Sequence, residues 1–134
     1  MSKATYGSAE FNLGNTGRSI YKIQVSELKL KFEEYDCKGN LVMNLSKEIS
    51  PEEWTAFLGQ IKKNHMEKWN EEYHNDSIDE ENTFFDVSIK TGSININSFG
   101  FNAFPPNGTI RMSKNFRFFL DMLKRLSEIN KLDI

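Results

Sequence analysis

A single cysteine, Cys37, stands among the 134 residues, so neither an intramolecular disulfide framework nor a thiolate cage for zinc can form. Two histidines, His65 and His74, limit imidazole-based metal chemistry to one pair. Apolar runs extend only a few residues, far short of the roughly 20 that cross a bilayer, so no membrane partner is expected. Charge of one sign is lacking too. Seventeen Lys and Arg face 19 Asp and Glu, a net charge of −2, which argues against both a whole-surface polyanion binder and a DNA mimic. Nucleic acid is therefore not an expected partner. Met1 to Gly7 offer a signal peptidase no apolar stretch, and a cytoplasmic location is expected. No Gly-x-Ser-x-Gly elbow, phosphate loop or dinucleotide fingerprint occurs, so no cofactor and no enzymatic activity are expected.

What is present is one domain's worth of chain, at 15.6 kDa, able to bury about two-thirds of its unfolded surface. Residues 1–18, with Gly7, Gly14 and Gly17 among Ser, Asn and Thr, read as a flexible or loosely docked arm with room for one short strand. The domain proper is expected over 19–134. Tyr21, Ile23 and Val25 alternate with polar residues, as do Leu28, Leu30 and Phe32 after a slip at Ser26-Glu27, which reads as a β-bulge. Asp36 to Asn40 supply a turn, and Leu41, Met43 and Leu45 a returning strand. Ser50, Pro51 and Glu53 form a capping box with Ile49 and Trp54 at the staple positions. Trp54, Phe57, Leu58, Ile61, His65, Trp69 and Tyr73 then predict one amphipathic helix of about 22 residues, from Pro51 to near Tyr73.

The pattern repeats in the second half. Phe85, Val87 and Ile89 alternate, Thr91-Gly92-Ser93 turns, and Ile94 and Ile96 return. A second slip at Asn97-Ser98 would put Phe99 and Phe101 in the core. Ser113 is an N-cap, and Phe116, Phe119, Leu120, Leu123 and Leu126 predict a helix ending near Asn130. The order ββα-ββα predicts an α+β domain: an antiparallel sheet of four or five strands with both helices on one face. The other face would be polar, carrying Lys22, Gln24, Lys29, Lys31, Ser88, Lys90, Asn95 and Asn97. Its edges could pair with a second copy to make a homodimer.

Candidate sites divide by chemistry. His65 and His74 lack the spacing of a metal motif; His74 at a helix end would favour the dipole as a solvated side chain. Cys37 lies at a turn tip, where neither a base nor a helix N-terminus is at hand to activate it. Asp76 to Asn82 is the most acidic stretch, and Ile78 occupies a position where a calcium loop needs an oxygen. The alternatives for Asp79, Glu80 and Glu81 are a solvated linker or a dock for a basic partner. Arg111, Lys114 and Arg117 gather where cations oppose a helix dipole, an arrangement an anion would relieve. The loop from Ser98 to Gly108 holds Asn102 and three aromatics, Phe99, Phe101 and Phe104, which are either an exposed anchor for a protein or core residues; the alternation favours the core for Phe99 and Phe101 and leaves Phe104 open.

The helix of Trp54, Phe57, Ile61, Trp69 and Tyr73, the strand of Val87 and Ile89, the turn Gly100-Phe101-Asn102-Ala103-Phe104-Pro105, and Phe116, Phe119 and Leu123 resemble a loose group of small bacterial and phage proteins. The likeness covers roughly residues 54–123. It implies the same fold and a structural Asn102 turn, and carries no activity. The expectation is a non-enzymatic binding protein that presents a surface (the polar sheet face, a sheet edge, or the Phe104 loop beside Arg111 and Arg117) to a protein partner, in the role of an inhibitor, immunity factor or phage anti-defence protein. The alternative is a domain that binds a small phosphate-bearing ligand or nucleotide through Arg111, Lys114 and Arg117.

Overall fold

Ser8–Asn15 form β1, and it lies at the middle of the sheet rather than in an arm. Ala9, Phe11 and Leu13 are buried on one side of the strand. Its backbone is paired with Ser19–Ser26 (β2) on one flank and Thr83–Lys90 (β6) on the other. Glycine and asparagine are tolerated here because neighbours on both flanks supply the hydrogen bonds that side-chain propensity does not. The computed structural model describes residues 6–76, 82–129 and 132.

The remaining elements are β3 (Lys29–Asp36), β4 (Leu41–Glu48), α1 (Pro51–Lys63), β5 (Glu72–His74), β7 (Asn95–Phe101) and α2 (Lys114–Ser127). Among the described residues they make an α+β fold with a seven-stranded sheet in the order β4-β3-β2-β1-β6-β7-β5. The expected four or five antiparallel strands in ββα-ββα order are thus corrected to seven, with β5 parallel to β7 and four strands ahead of α1.

The slip at Ser26-Glu27 is a turn, not a bulge. Ser26 pairs with Lys29, leaving Glu27 and Leu28 as a two-residue loop with φ of 46° and 68°. Positive φ at both central residues suits the right-handed twist of a hairpin but is costly for non-glycine residues. Three bonds hold the turn: Glu27 N–H donates to the Gly7 carbonyl (3.2 Å), Tyr6 N–H to Glu27 Oε2 (2.8 Å), and Ile49 N–H to the Leu28 carbonyl (2.8 Å).

Both helix starts are as the sequence predicts. Ser50 Oγ accepts from Glu53 N–H (3.0 Å) while Glu53 Oε1 accepts from Ser50 N–H (3.2 Å). The second of these bonds holds the Glu53 carboxyl below the usual carboxylate range. Ser113 Oγ accepts from Phe116 N–H at 3.1 Å.

The long helix, by contrast, stops at Lys63. His65 takes a left-handed conformation (φ 57°), and a short 3-10 turn, Met66–Lys68, leads into β5. Asn64 caps α1 with its N–H still bonded to the Gln60 carbonyl, and its side chain bonds the backbone carbonyl of Asn115 at 3.0 Å. Trp69 and Tyr73 still reach the core, from irregular and extended backbone respectively.

Both helices pack on one face of the sheet. Phe11 meets Phe57 of α1 edge-on (6.0 Å) and Phe119 of α2 (5.6 Å). Around them, Phe32, Trp54, Ile61, Phe85, Phe116 and Leu123 are excluded from water. Burial of this kind contributes roughly 1.5–3 kcal/mol per large side chain and dominates the stabilisation.

Candidate functional site: the open face of the sheet

Strand alternation fixes what the other face carries. In β7, Ile96, Ser98 and Gly100 turn inward, while Asn95, Asn97, Phe99 and Phe101 lie on the opposite face. The register with β6 is unbroken from Phe84↔Phe101 to Lys90↔Asn95, so the second expected slip does not exist. Phe99 is 43% exposed and Phe101 half-buried, which overturns their expected core role. The physical reason is space. A Cβ at position 100 would strike the Phe85 ring and the Ala103 carbonyl, and Ser98 Oγ donates to the Asn70 carbonyl at 2.6 Å. Large side chains on those two inward positions would not fit.

Following the pairings sideways gives rows across this face. One row runs Leu41, Tyr35, Ile20, Gly14, Phe84, Phe101, His74, and is largely apolar. The next runs Asn44, Glu33, Lys22, Asn12, Asp86, Phe99, Glu72. A third contains Ser46, Lys31, Gln24, Glu10, Ser88 and Asn97. At the far end, Lys29, Lys31 and Lys90 border a shallow depression of about 520 Å³ with Ser8, Ser26 and Ser88. The face is therefore apolar at one end and basic at the other.

Charge within it is unevenly solvated. The Asp86 carboxyl is pushed above its ordinary range, first by desolvation and second by the Glu10 carboxylate. The Tyr35 hydroxyl is pushed up by partial desolvation and by Glu33. Gln24 Nε2 donates to Glu10 Oε1 at 2.7 Å, which fixes that carboxylate in place.

Apart from His74, the site residues singled out from sequence fall elsewhere. Phe104 is 2% exposed; its ring stacks on Phe85 (6.1 Å) and meets Phe116 edge-on (4.9 Å), so it closes the core and is no surface anchor. Asn102 is buried at φ 51°. Its Oδ1 accepts from Thr83 N–H (2.9 Å), and its Nδ2 donates to the Asp76 carbonyl (3.1 Å) and to Asn82 Oδ1 (2.7 Å). One amide thus clips both ends of the acidic segment, a structural duty that leaves none of it for a partner.

Asp79, Glu80 and Glu81 themselves lie outside the described residues. Arg111, Lys114 and Arg117 are exposed around the start of α2, and no ion pair among the described residues involves them. The cap there is already made by Ser113, whose hydroxyl also bonds the Pro105 carbonyl. Cys37 is exposed on the β3–β4 turn. His65 is exposed between α1 and the 3-10 turn, and His74 stacks on Phe101 on the open face (5.5 Å, 18°). Among the described residues, no three His, Cys, Asp or Glu side chains converge to hold a metal.

Open-face residues that the sequence pattern does not single out are Ile20, Tyr35, Phe84 and Asp86, while Phe99 and Phe101 are singled out but expected in the core. A usable signal was present in Ser98 and Gly100, small residues in phase with Ile94 and Ile96, which hand the bulky positions to the other face. No helix among the described residues is long and apolar enough to cross a membrane. Compared with known proteins, the chain matches no family model and no curated protein.

Proposed function

We propose that this chain is a non-enzymatic protein-binding module that recognises its partner through the open face of the sheet. One observation carries the reading: both helices cover the same side, and a partly exposed apolar row from Leu41 to Phe101 crosses the other. Exposed aromatics rimmed by polar groups are how a protein-binding patch is built. The acids and lysines of this face lie on an open surface rather than in a water-excluding cleft, which suits recognition better than general acid–base work. The role is that of an inhibitor, immunity factor or phage anti-defence protein, which acts by covering another protein's surface.

Capture with matched variants tests this. Immobilised protein, a Tyr35→Asp variant on the open face and a Phe118→Asp variant on the exposed side of α2 are compared for retention of a stoichiometric partner. Retention by the parent and by Phe118→Asp, with loss in Tyr35→Asp, supports the reading. The reverse pattern moves the interface to the helices and ends it.

A second reading, a phosphate-bearing ligand, is favoured by the depression where Lys29, Lys31 and Lys90 outnumber the one carboxylate, Glu10, and meet three serine hydroxyls. It is a basic surface separate from Arg111, Lys114 and Arg117 at the start of α2. A ligand at a hundredfold excess over its Kd would stabilise the fold by about 2.7 kcal/mol. Thermal denaturation with ATP, repeated on a Lys29→Glu, Lys90→Glu variant, checks it; an unchanged shift in the variant rejects that site.

A further inference from the structure

The open face is divided by charge as well as polarity. Among Lys and Arg, β1, β5, β6 and β7 carry Lys90 alone, at the far end of β6, whereas β2 and β3 bring Lys22, Lys29 and Lys31. Within the first group, Phe99 sits in a row between two carboxylates. Asp86 is its partner on β6 and Glu72 its partner on β5. Directly opposed side chains of this kind are about 5 Å apart at Cβ. In the next row, the His74 ring lies flat against Phe101 at 5.5 Å, with Phe84 across from it. Asp86, Glu72 and Asp76 are exposed, and Glu10 stands diagonally from Asp86 on β1.

We propose, on the strength of the open-face reading, that this quadrant receives an arginine side chain of the protein partner, its guanidinium plane lying on the Phe99 ring and its N–H groups bonded to Asp86 and Glu72. An aromatic face flanked by carboxylates matches each property of a guanidinium: planar, cationic, and furnished with donors at its edge. A lysine would gain the charge but not the stacking. An acidic or purely apolar partner would leave two carboxylates unpaired beneath it. The desolvation already felt by Asp86, together with the nearby Glu10 charge, means a cation there relieves an existing repulsion. The lysines at the opposite end of the face forbid the reversed orientation, so the charge pattern also sets which way round the partner lies.

The test uses a defined probe, a short peptide of alternating arginine and alanine, and its twin in which citrulline replaces every arginine. Each is titrated into the full chain while backbone amide shifts are followed by NMR. The arginine peptide is expected to shift the amides of residues 72–74, 84–86 and 99–101, and to bind at least fivefold more tightly than the citrulline peptide. A Glu72→Gln, Asp86→Asn double variant and, separately, Phe99→Ala should each remove that preference while keeping the parent's amide dispersion. Equal affinity for the two peptides, shifts confined to the helices or the lysine depression, indifference to both variants, or no binding at millimolar peptide would each overturn the proposal. Failure of the parent reading looks different. A captured partner lost by Tyr35→Asp but kept by the Glu72→Gln, Asp86→Asn variant leaves the open face intact and removes only the arginine site.

Discussion

Asn115 and Asn64 lock the start of α2 to the end of α1. Asn115 Nδ2 donates to both the backbone carbonyl and Oδ1 of Asn64 at 2.9 Å, and Asn64 Nδ2 donates back to the Asn115 carbonyl at 3.0 Å. Asn115 Oδ1 also accepts the Trp69 indole N–H at 2.6 Å. Asn115→Ala takes the acceptor from the Trp69 indole N–H and the donor from the Asn64 carbonyl and Oδ1, while the Asn64 Nδ2 bond to the backbone survives. A buried donor left unpaired costs about 1–3 kcal/mol, so the urea midpoint should fall with the slope unchanged. A midpoint equal to that of the parent would contradict this role.

Two glycines should respond to alanine in opposite ways. At Gly100 the new methyl would meet the Phe85 ring and the Ala103 carbonyl, and overpacking of this kind costs about 1–3 kcal/mol. At Gly59, exposed in α1 with nothing near its missing Cβ, alanine should add about 0.5–1 kcal/mol by restricting the unfolded chain. Calorimetry of the two variants should therefore move Tm in opposite directions.

Phe104 and Phe99 reverse the roles their loop suggests. Phe104→Ala removes a buried ring from the cluster of Phe85 and Phe116 and should cost about 3–5 kcal/mol. Phe99→Ala lies on the open face and should stay within about 0.5 kcal/mol of the parent. Guanidinium unfolding of both decides the assignment; similar losses would mean Phe99 supports the fold after all.

Asp86 makes stability depend on pH in a known direction. Its folded-state carboxyl titrates above the unfolded value, so the folded state holds the proton longer. Stability is then greatest below the ordinary carboxylate range and declines as pH rises through the raised value. Asp86→Asn should relieve a few tenths of a kcal/mol at neutral pH, after allowing for solvent screening, and nothing near pH 3. Unfolding curves at the two pH values give the answer. A gain that is the same at both would assign the effect to something other than ionisation.

The parts legible in sequence were those where one residue type has one physical use. Ser50-Pro51-x-Glu53 can scarcely be anything but a helix start, and the stripe from Phe116 to Leu126 faces the core as its period requires. The misreadings share a cause. Glu27-Leu28 turns without glycine or asparagine because residues outside the hairpin hold it, and nothing local announces that. Trp69 and Tyr73 keep helical spacing from α1 yet reach the core over a left-handed His65, so period alone extended the helix. Phe99 and Phe101 alternate as a core pair would once a slip is placed at Asn97-Ser98, but the register runs on without one and it is the small Ser98 and Gly100 that face inward. The open face is legible as a polar surface, but its apolar row is hidden for the same reason. Its members are hydrophobic residues on the wrong side, visible only once the register is known.

Since β1 lies between β2 and β6, the opening strand is the seam of the whole molecule. During synthesis it can zip to β2 at once, but its other flank has no mate until Lys90 has left the ribosome. Until then the nascent chain carries a bare strand edge, open to neighbours of its own kind. Trimming the N-terminus back through Asn15 would leave two half-sheets with nothing to stitch them, whereas an appendage ahead of Ser8 adds to the end of that seam without cutting it.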